Sequence, residues 1–481
     1  MNQPNQKKEK VLGKGILFPY ILLTTLFFAW AIPNNLTDTM LAAFKRIMSL
    51  SDSKTAWIQV VCYLLGYGCC ALPGALFIKR FTYKSGVLLG LGLYAFGALM
   101  FYPAKITSVV NMEFSFYMYL LAIFVLFAGL SILETSTNSY VLALGPESTA
   151  TRRLNLSQSF NPFGAITGVV LSQIFILSQL NGLTASERAQ LPAESLQAIQ
   201  DSELNAVTMA YVVLGFVMIA FFLAIYFTKM PQLSEGNGKV DLKATLKRLS
   251  HNKNYVWGVV AQFFDIGAQI AVWSFIIRYA MQQLDFDGVI AALGNNPSAD
   301  MVCQALRELE PIAAGFYNIC ETVGLDGLLP HTAEQAAATY YIMSLILFVC
   351  MRFVCTWLMR YFKAYKILLF MSLTAVVCCF GAILGTGRFG VYCLMGISGC
   401  LSLMFPTIYG YGLKGLGEDT KIGGSGMVMS IAGAAILTQI QGIISDGTGS
   451  IMTAYIVPAV AFSVIAYYSF FIARKQEISQ R

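Results

Sequence analysis

Apolar runs about as long as a bilayer is thick recur along this chain, and they constrain its fold more than any other feature. Each run has roughly 20 residues, the length that a helix needs to cross a hydrocarbon core, and few of them contain a charge. The chain is 57% hydrophobic and only 12% charged, which is more apolar than a water-soluble fold can accommodate. The sequence therefore predicts an integral membrane protein with no room for a soluble catalytic domain.

The runs predict an all-α protein, because they are continuously apolar, whereas strands of a membrane barrel alternate lipid-facing and lumen-facing residues. The first run continues for about 25 residues without a small-residue cleavage site, so it predicts a spanning helix and not a signal peptide. Twelve transmembrane helices are predicted, at about 15–41, 55–78, 85–104, 114–143, 154–178, 206–228, 255–280, 337–359, 364–386, 389–413, 422–444 and 451–473.

The lysines and arginines predict the orientation of these spans. Most of the 32 lie in segments on the side of both termini, which include the tails 1–14 and 474–481 and the central loop 229–254. By the positive-inside rule both termini are cytoplasmic, as expected for a multi-pass protein of a bacterial inner membrane. The net charge of +7 then reflects topology, and no nucleic-acid partner is expected.

The central loop 229–254 divides the chain into two predicted six-helix halves, 15–228 and 255–473. Short stretches recur at the same place in each half: IKRFTYKSG after the second span matches MRYFKAYK after the eighth, and LGPESTATRR after the fourth matches GLGEDTKIGG after the tenth. This pattern is typical of a parallel duplication, in which the substrate binds in a central cavity near the membrane midplane, between the halves.

The longest predicted outer loop, 281–335, is acidic, and we expect it to be a solvated and weakly constrained lid or spacer. It contains Cys303 and Cys320. Because this side of the membrane is oxidising, we predict a disulfide between them. The other nine of the eleven cysteines lie in predicted spans, where a cysteine is usually a packing residue.

Three carboxylates lie well inside predicted spans: Asp38, Glu134 and Asp265. A charge buried in lipid costs at least a few kcal/mol, so such residues are functional candidates. Asp38 lies near the outer end of its span, so a boundary position is its alternative interpretation. Glu134 lies deeper. Because desolvation favours the neutral form of a buried carboxyl, Glu134 is the best candidate for taking up and releasing a proton.

Polar side chains group with these carboxylates at a spacing of three or four residues, which places each group on one helix face. The groups are Asn34 with Asp38, Glu134 with Asn138, Gln158 with Asn161, and Gln262 with Asp265 and Gln269. Around a cavity they offer the paired donors and acceptors that sugar hydroxyls need. Polar contacts between helices are the alternative interpretation of any single carboxamide.

No lysine or arginine lies near the midplane of a predicted span, so we expect Asp265 to be neutral, hydrated or hydrogen-bonded to a carboxamide. It could accept a bond from a sugar hydroxyl or titrate as a second proton site. His251 and His331 lie in opposite loops, and no Cys/His ligand spacing is present. The sequence therefore predicts no enzyme activity, no metal site and no cofactor.

Several stretches together resemble the bacterial fucose permease branch of the major facilitator superfamily. They are AIPNNLTDTMLAAF, LPGALFIKRFTYKSGVLLGLGLY, LETSTNSYVLALGPESTATRRLNLSQSFNPFG, GAQIAVWSFIIRYA and FPTIYGYGLKGLGEDTK. The resemblance implies a major facilitator fold and proton-driven symport of a monosaccharide, L-fucose, by alternating access. It places the family's helix 1 aspartate and helix 4 glutamate on Asp38 and Glu134, and the helix 5 polar pair on Gln158 and Asn161.

Two positions depart from the family pattern. The family usually has an aromatic residue where this chain has Asp265, and an aromatic cavity position in the tenth span is Phe405, without the hydroxyl of a tyrosine. We also include Asn35 and Phe348 among the expected sugar contacts. Because relatives in the branch carry glucose, galactose or mannose, these sugars are the alternative substrates.

The resemblance also matches Arg352 to a family arginine near the cytoplasmic end of the eighth span, and we assign it with Arg80 to the inner gate. A sodium-coupled or uncoupled carrier is a narrower alternative, since Asp265 could serve a cation as well as a proton. A membrane enzyme or sensor without transport is the alternative from another class. The expected partners are the sugar, protons and membrane lipid, and we expect a monomer.

Overall fold

The computed structural model describes residues 16–48, 50, 52–176, 188, 191–231, 241–292, 299–309, 311–325, 329–330 and 333–478. Throughout these ranges the regular structure is helical, as predicted. The α-helices are α1 Leu17–Ile47, α2 Asp52–Gln59, α3 Gly68–Arg80, α4 Tyr83–Leu99, α5 Phe101–Ser108, α6 Met112–Ala143, α7 Ala150–Gln158, α8 Asn161–Phe175, α9 Ala193–Phe227, α10 Leu242–His251, α11 Lys253–Gln283, α12 Phe286–Ala292, α13 Ala299–Leu309, α14 Pro311–Val323, α15 Ala333–Leu358, α16 Ala364–Leu384, α17 Arg388–Leu401, α18 Met404–Gly412, α19 Thr420–Met429, α20 Gly433–Thr448, α21 Ile451–Ala454 and α22 Ile456–Ile478.

The described residues contain 10 helices that are long and apolar enough to cross a membrane, and each coincides with a predicted span. The first predicted span corresponds to α1, whose apolar part is the shorter stretch Leu17–Pro33. The fifth is divided between α7 and α8, because the helix is interrupted at residues 159–160. The spans could be predicted because hydropathy is a local property of the sequence.

The second predicted span is irregular in its middle. A π-helical segment, Val60–Tyr67, joins α2 to α3. A Cβ atom on Gly66 would lie 2.6 Å from Cβ of Phe127, so only glycine allows α6 to approach this closely. Such π-helical insertions are rare in proteins, and many of those that occur lie at functional sites. The segment ends at Tyr67, which is buried against Phe127.

The chain forms two compact units. Unit 1 contains residues 1–260 and 406–435, and unit 2 contains residues 261–405 and 436–481. Residues 406–435 lie in the second predicted half but are grouped with the first. The division into halves at the central loop therefore stays a prediction about the sequence repeat, and the two units are described one at a time below.

Within unit 2, the loop between α11 and α15 contains three helices of its own, α12, α13 and α14. Val302, Cys303 and Leu306 from α13 and Tyr317 and Cys320 from α14 are buried. This segment was expected to be weakly constrained, and its helices α13 and α14 share a small apolar core. Both cysteines belong to that core, although the structure does not join their sulfur atoms, so the disulfide stays a prediction.

Candidate functional site

Glu134 is a buried carboxyl in the C-terminal third of α6, with only 8% of its surface exposed. The side chains of Tyr67 and Asn138 lie close to it, and Nδ2 of Asn138 has no hydrogen-bond partner among the described residues. The Nε2 atom of Gln158 donates to Oδ1 of Asn138 at 3.0 Å. The structure thus brings Glu134, Asn138 and Gln158 into one polar network, as the helical spacing predicted for the first two residues. Tyr67 was missed, because only the π-helical segment places it here.

The pairing of Gln158 with Asn161 differs from the prediction. They were expected on one helix face, but Gln158 ends α7 and Asn161 begins α8. The Nδ2 atom of Asn161 donates to the backbone oxygen of Phe27 on α1 at 3.3 Å. Asn161 therefore ties α8 to α1. Asn34, Asn35 and Asp38 lie on α1, but their side chains are outside what the structure describes.

In unit 2, Asp265 and Gln262 are both buried on α11, with Nε2 of Gln262 and Oδ2 of Asp265 3.4 Å apart. A carboxamide next to Asp265 was expected from the sequence. The expectation that no cation lies nearby was wrong, because the long side chain of Arg352 on α15 brings its guanidinium into electrostatic range of Asp265. In the described part of the chain, Oδ1 of Asp265 and Oε1 of Gln262 have no hydrogen-bond partner.

Arg352 has further contacts within unit 2. Its guanidinium carbon lies 4.6 Å from the centre of the Phe348 ring, and its Nε atom donates to the backbone oxygen of Ser402. Phe348 packs edge-on against Trp273 at 5.2 Å. Arg352 is therefore a deeply buried cation between α15 and α17, and its predicted role in the gate stays a prediction. Other expected sugar contacts, Gln269 and Phe405, are half-buried.

A charged cluster lies at the predicted cytoplasmic ends of the unit 1 helices. Asp419, in the turn before α19, accepts two hydrogen bonds of 2.7 Å from Arg248 on α10. The hydroxyl of Thr245 lies 3.2 Å from Oδ1 of Asp419, and Nζ of Lys79 on α3 lies 4.0 Å from it. The carboxylate raises the pKa of the Arg248 guanidinium. Three elements that are distant in the sequence therefore meet at Asp419.

The predicted gate residue Arg80 is the neighbour of Lys79, but its side chain is exposed and its guanidinium carbon lies 5.7 Å from the Phe81 ring. The contacts to Asp419 are made by Lys79 and Arg248 instead. The sequence repeat includes the segment with Lys79 and Arg80 and the segment with Asp419, but it could not show which of their side chains meet. The role of Arg80 in gating remains a prediction.

We expect Asp419→Asn to detach α10 from the start of α19, because the amide cannot hold both guanidinium bonds and both cations. Trypsin should then cleave at the exposed Lys243 and Lys247 severalfold faster than in the unsubstituted protein. Glu418→Gln is the matched control, because Glu418 is the exposed neighbour of Asp419. Equal cleavage rates in the two variants would contradict this role of Asp419.

Comparison with known proteins identifies the family. The sequence profile of the Major Facilitator Superfamily matches residues 19–299. An L-fucose-proton symporter of Haemophilus influenzae is 35% identical over 472 residues, covering 96% of this chain and 98% of the relative.

The chain belongs to the Major Facilitator Superfamily. A second L-fucose-proton symporter, from Escherichia coli, is 33% identical over 468 residues, covering 96% of this chain and 95% of the relative. The crystal structure of FucP, a superfamily transporter in the outward conformation, aligns with a TM-score of 0.78 at 33% identity, covering 95% of this chain and 98% of that one. A glucose/galactose transporter of Brucella abortus is 28% identical over 457 residues.

These likenesses confirm the predicted all-α major facilitator fold. Together with the apolar helices they establish a multi-pass membrane protein. The resemblance to the fucose permease branch is confirmed over nearly the whole chain.

Proposed function

We propose that this chain is a proton-coupled symporter, and not an enzyme, that imports L-fucose across the bacterial inner membrane by alternating access. The observation that carries the proposal is the buried Glu134 carboxyl beside the carboxamide pair of Asn138 and Gln158, in a chain 35% identical to an L-fucose-proton symporter. A carboxyl at this depth is uncharged or compensated. It can therefore act as a proton carrier.

We propose Glu134 as the main coupling residue, with Asp38 assisting it. The sugar contacts follow from the polar groups of the sequence. We assign this role to Asn34, Asn35, Asp38, Asn138, Gln158, Asn161, Gln262, Asp265, Gln269, Phe348 and Phe405. The orphaned atoms of Asp265 and Gln262 support this assignment in unit 2, because buried polar atoms normally have partners. A bound sugar hydroxyl would supply a hydrogen-bond partner for these atoms.

We propose that both termini face the cytoplasm, in agreement with the positive-inside rule, and that the protein works as a monomer. The Asp419 cluster then lies on the cytoplasmic side. The step that opens this side must break the contacts of Asp419 with Arg248 and Lys79. We therefore propose that the cluster favours the state closed to the cytoplasm.

A glucose or galactose carrier is the second candidate. The likeness to a glucose/galactose transporter at 28% identity favours it. Uptake of a sugar panel by proteoliposomes tests both candidates, with imposed pH and sodium gradients. We expect L-fucose to accumulate with a proton gradient alone. Accumulation of glucose or galactose in its place, or dependence on sodium, would overturn the proposal.

We further propose a disulfide between Cys303 and Cys320 in the outer loop. If it forms, neither cysteine should react with a thiol reagent until a reductant is supplied, because the loop faces an oxidising compartment. Both thiols are buried, so the protein is denatured before the reagent is added. Cys303→Ser is the control, since it should make Cys320 reactive without reductant. Full labelling of both cysteines without reductant would exclude the bond.

A further inference from the structure

Tyr409 on α18 is a buried tyrosine that none of the assigned roles uses. Its hydroxyl oxygen lies 3.3 Å from Oγ of Ser139 on α6, and either atom can be the donor. Both residues are fully buried within unit 1. This bond joins positions 270 residues apart in the sequence, so it connects a helix of the second predicted half to the helix that carries Glu134.

The same contact brings α19 close to α6. A Cβ atom on Gly424 would lie 2.6 Å from Oγ of Ser139 and 2.8 Å from the Tyr409 hydroxyl. Any larger residue at this position would therefore push the two hydroxyls apart. Ser139, Tyr409 and Gly424 thus form a junction of three helices, α6, α18 and α19, without an intervening side chain.

A second contact holds α18 on the neighbouring helix α7. The Nδ2 atom of Asn155 donates to Oγ1 of Thr407 at 3.3 Å, and a Cβ atom on Gly410 would lie 2.7 Å from Oγ1 of Thr151. The segment from Thr407 to Gly410 is therefore fixed on α6 and α7 at several points. Any movement that opens this side of unit 1 must separate these contacts together.

The junction lies beside the proposed coupling residue. Ser139 is five positions after Glu134 on α6, and the Tyr409 hydroxyl lies within electrostatic range of the Glu134 carboxyl. Among the residues that the structure describes, the titratable groups facing Glu134 are Tyr67, from the π-helical segment, and Tyr409. Two buried cations on helices packed against α6, Lys421 and Arg153, donate to backbone oxygens.

We propose that Tyr409 is a positioning residue through which the charge of Glu134 holds α18 and α19 against α6. When Glu134 is ionised, the Tyr409 hydroxyl can point its proton toward the carboxylate while accepting a bond from Ser139. When Glu134 takes up a proton, that attraction is lost and the junction weakens. This inference rests on the proposed coupling role of Glu134. It links proton uptake to the release of α18 and α19, which opening toward the cytoplasm requires.

Hydrogen–deuterium exchange of the purified full-length protein, without sugar, tests the link. Exchange of the amides of residues 407–424 is measured at pH 5.5 and pH 8 and corrected for the intrinsic effect of pH. In the unsubstituted protein we expect protection to be about threefold or more higher at pH 8, since the ionised carboxylate attracts the Tyr409 hydroxyl more strongly than the neutral carboxyl does in a low-dielectric interior. In Tyr409→Phe and in Glu134→Gln this difference should vanish, with low protection at both pH values.

Tyr255→Phe is the matched control. Its hydroxyl donates to the backbone oxygen of Gly423 at 3.1 Å, so the variant also loses a buried contact to α19. No contact of Tyr255 with Glu134 is found among the described residues, so the variant should lower protection equally at both pH values and keep the difference. Ser139→Ala makes a smaller change in the same junction, and it replaces Tyr409→Phe if that variant does not fold.

A pH difference in the junction variants equal to that of the unsubstituted protein would overturn the proposal, as would its absence from the unsubstituted protein. Loss of the pH difference from Tyr255→Phe as well would also overturn the proposal. Losing any buried contact to α19 would then be enough to remove the difference. The experiment uses no sugar and no gradient. A failure of the symport proposal, seen as absent L-fucose uptake, is therefore distinguishable from a failure of this one.

Discussion

Glu134→Gln is expected to abolish proton-driven accumulation of sugar while exchange of sugar between the two sides of the membrane stays measurable. The amide keeps the size and most of the contacts of the carboxyl beside Tyr67 and Asn138, but it cannot take up or release a proton. Net uptake against a gradient should fall to the level of empty vesicles. Exchange needs no net proton movement, so it should be reduced only to the extent that the sugar contacts change.

The two activities are measured on the same proteoliposomes, with labelled sugar and either an imposed pH gradient or internal unlabelled sugar. Glu113→Gln is the matched control. It makes the same change on the same helix, but Glu113 is exposed and pairs with Lys54. Undiminished accumulation in Glu134→Gln would contradict the assignment of the coupling role, and loss of exchange together with accumulation would favour a structural role.

Asp265→Asn is expected to weaken sugar binding and to lower stability, while accumulation with a proton gradient survives. The substitution removes the carboxyl that lies in electrostatic range of the buried Arg352 guanidinium. Leaving a buried charge without its partner typically costs on the order of 3 kcal/mol. It also removes an acceptor whose second oxygen has no partner among the described residues, and a sugar hydroxyl is the partner that we propose for it.

A double-mutant cycle tests whether Asp265 and Arg352 act as a pair. If they do, the variant Asp265→Asn/Arg352→Gln should have a higher melting temperature than the sum of the two single effects predicts. Gln262→Leu is the comparison variant, because it perturbs the same face of α11 without changing charge. Additive effects would contradict the pairing. Loss of accumulation with unchanged sugar affinity would instead make Asp265 a second titrating site.

The parts of this fold that the sequence predicts are those set by local properties. Apolar runs locate the spans, and the spacing of Glu134 and Asn138 places both on one face of α6 because a helix repeats every 3.6 residues. The prediction failed where the helix is irregular. The interruption separates Gln158 from Asn161, which were predicted to share a helix face, and Tyr67 in the π-helical segment was missed. Hydropathy carries no signal for either irregularity.

Contacts between elements that are distant in the sequence could not be predicted either. Arg248 and Asp419 are 171 residues apart, and Ser139 and Tyr409 are 270 apart. Arg352 could be placed in the eighth span, but its proximity to Asp265 depends on how α11 and α15 pack. A sequence repeat indicates which segments correspond between the halves. It does not indicate which side chains on these segments meet.

Sugar-induced proton movement tests the central claim most directly. L-Fucose is added to proteoliposomes that have no pH gradient, no membrane potential and no sodium, and a pH-sensitive dye reports the internal pH. A proton-coupled symporter must acidify the interior as the sugar enters down its own gradient, and Glu134→Gln must not. L-Fucose entry without acidification in the unsubstituted protein would contradict the account, because the chain would then be an uncoupled carrier.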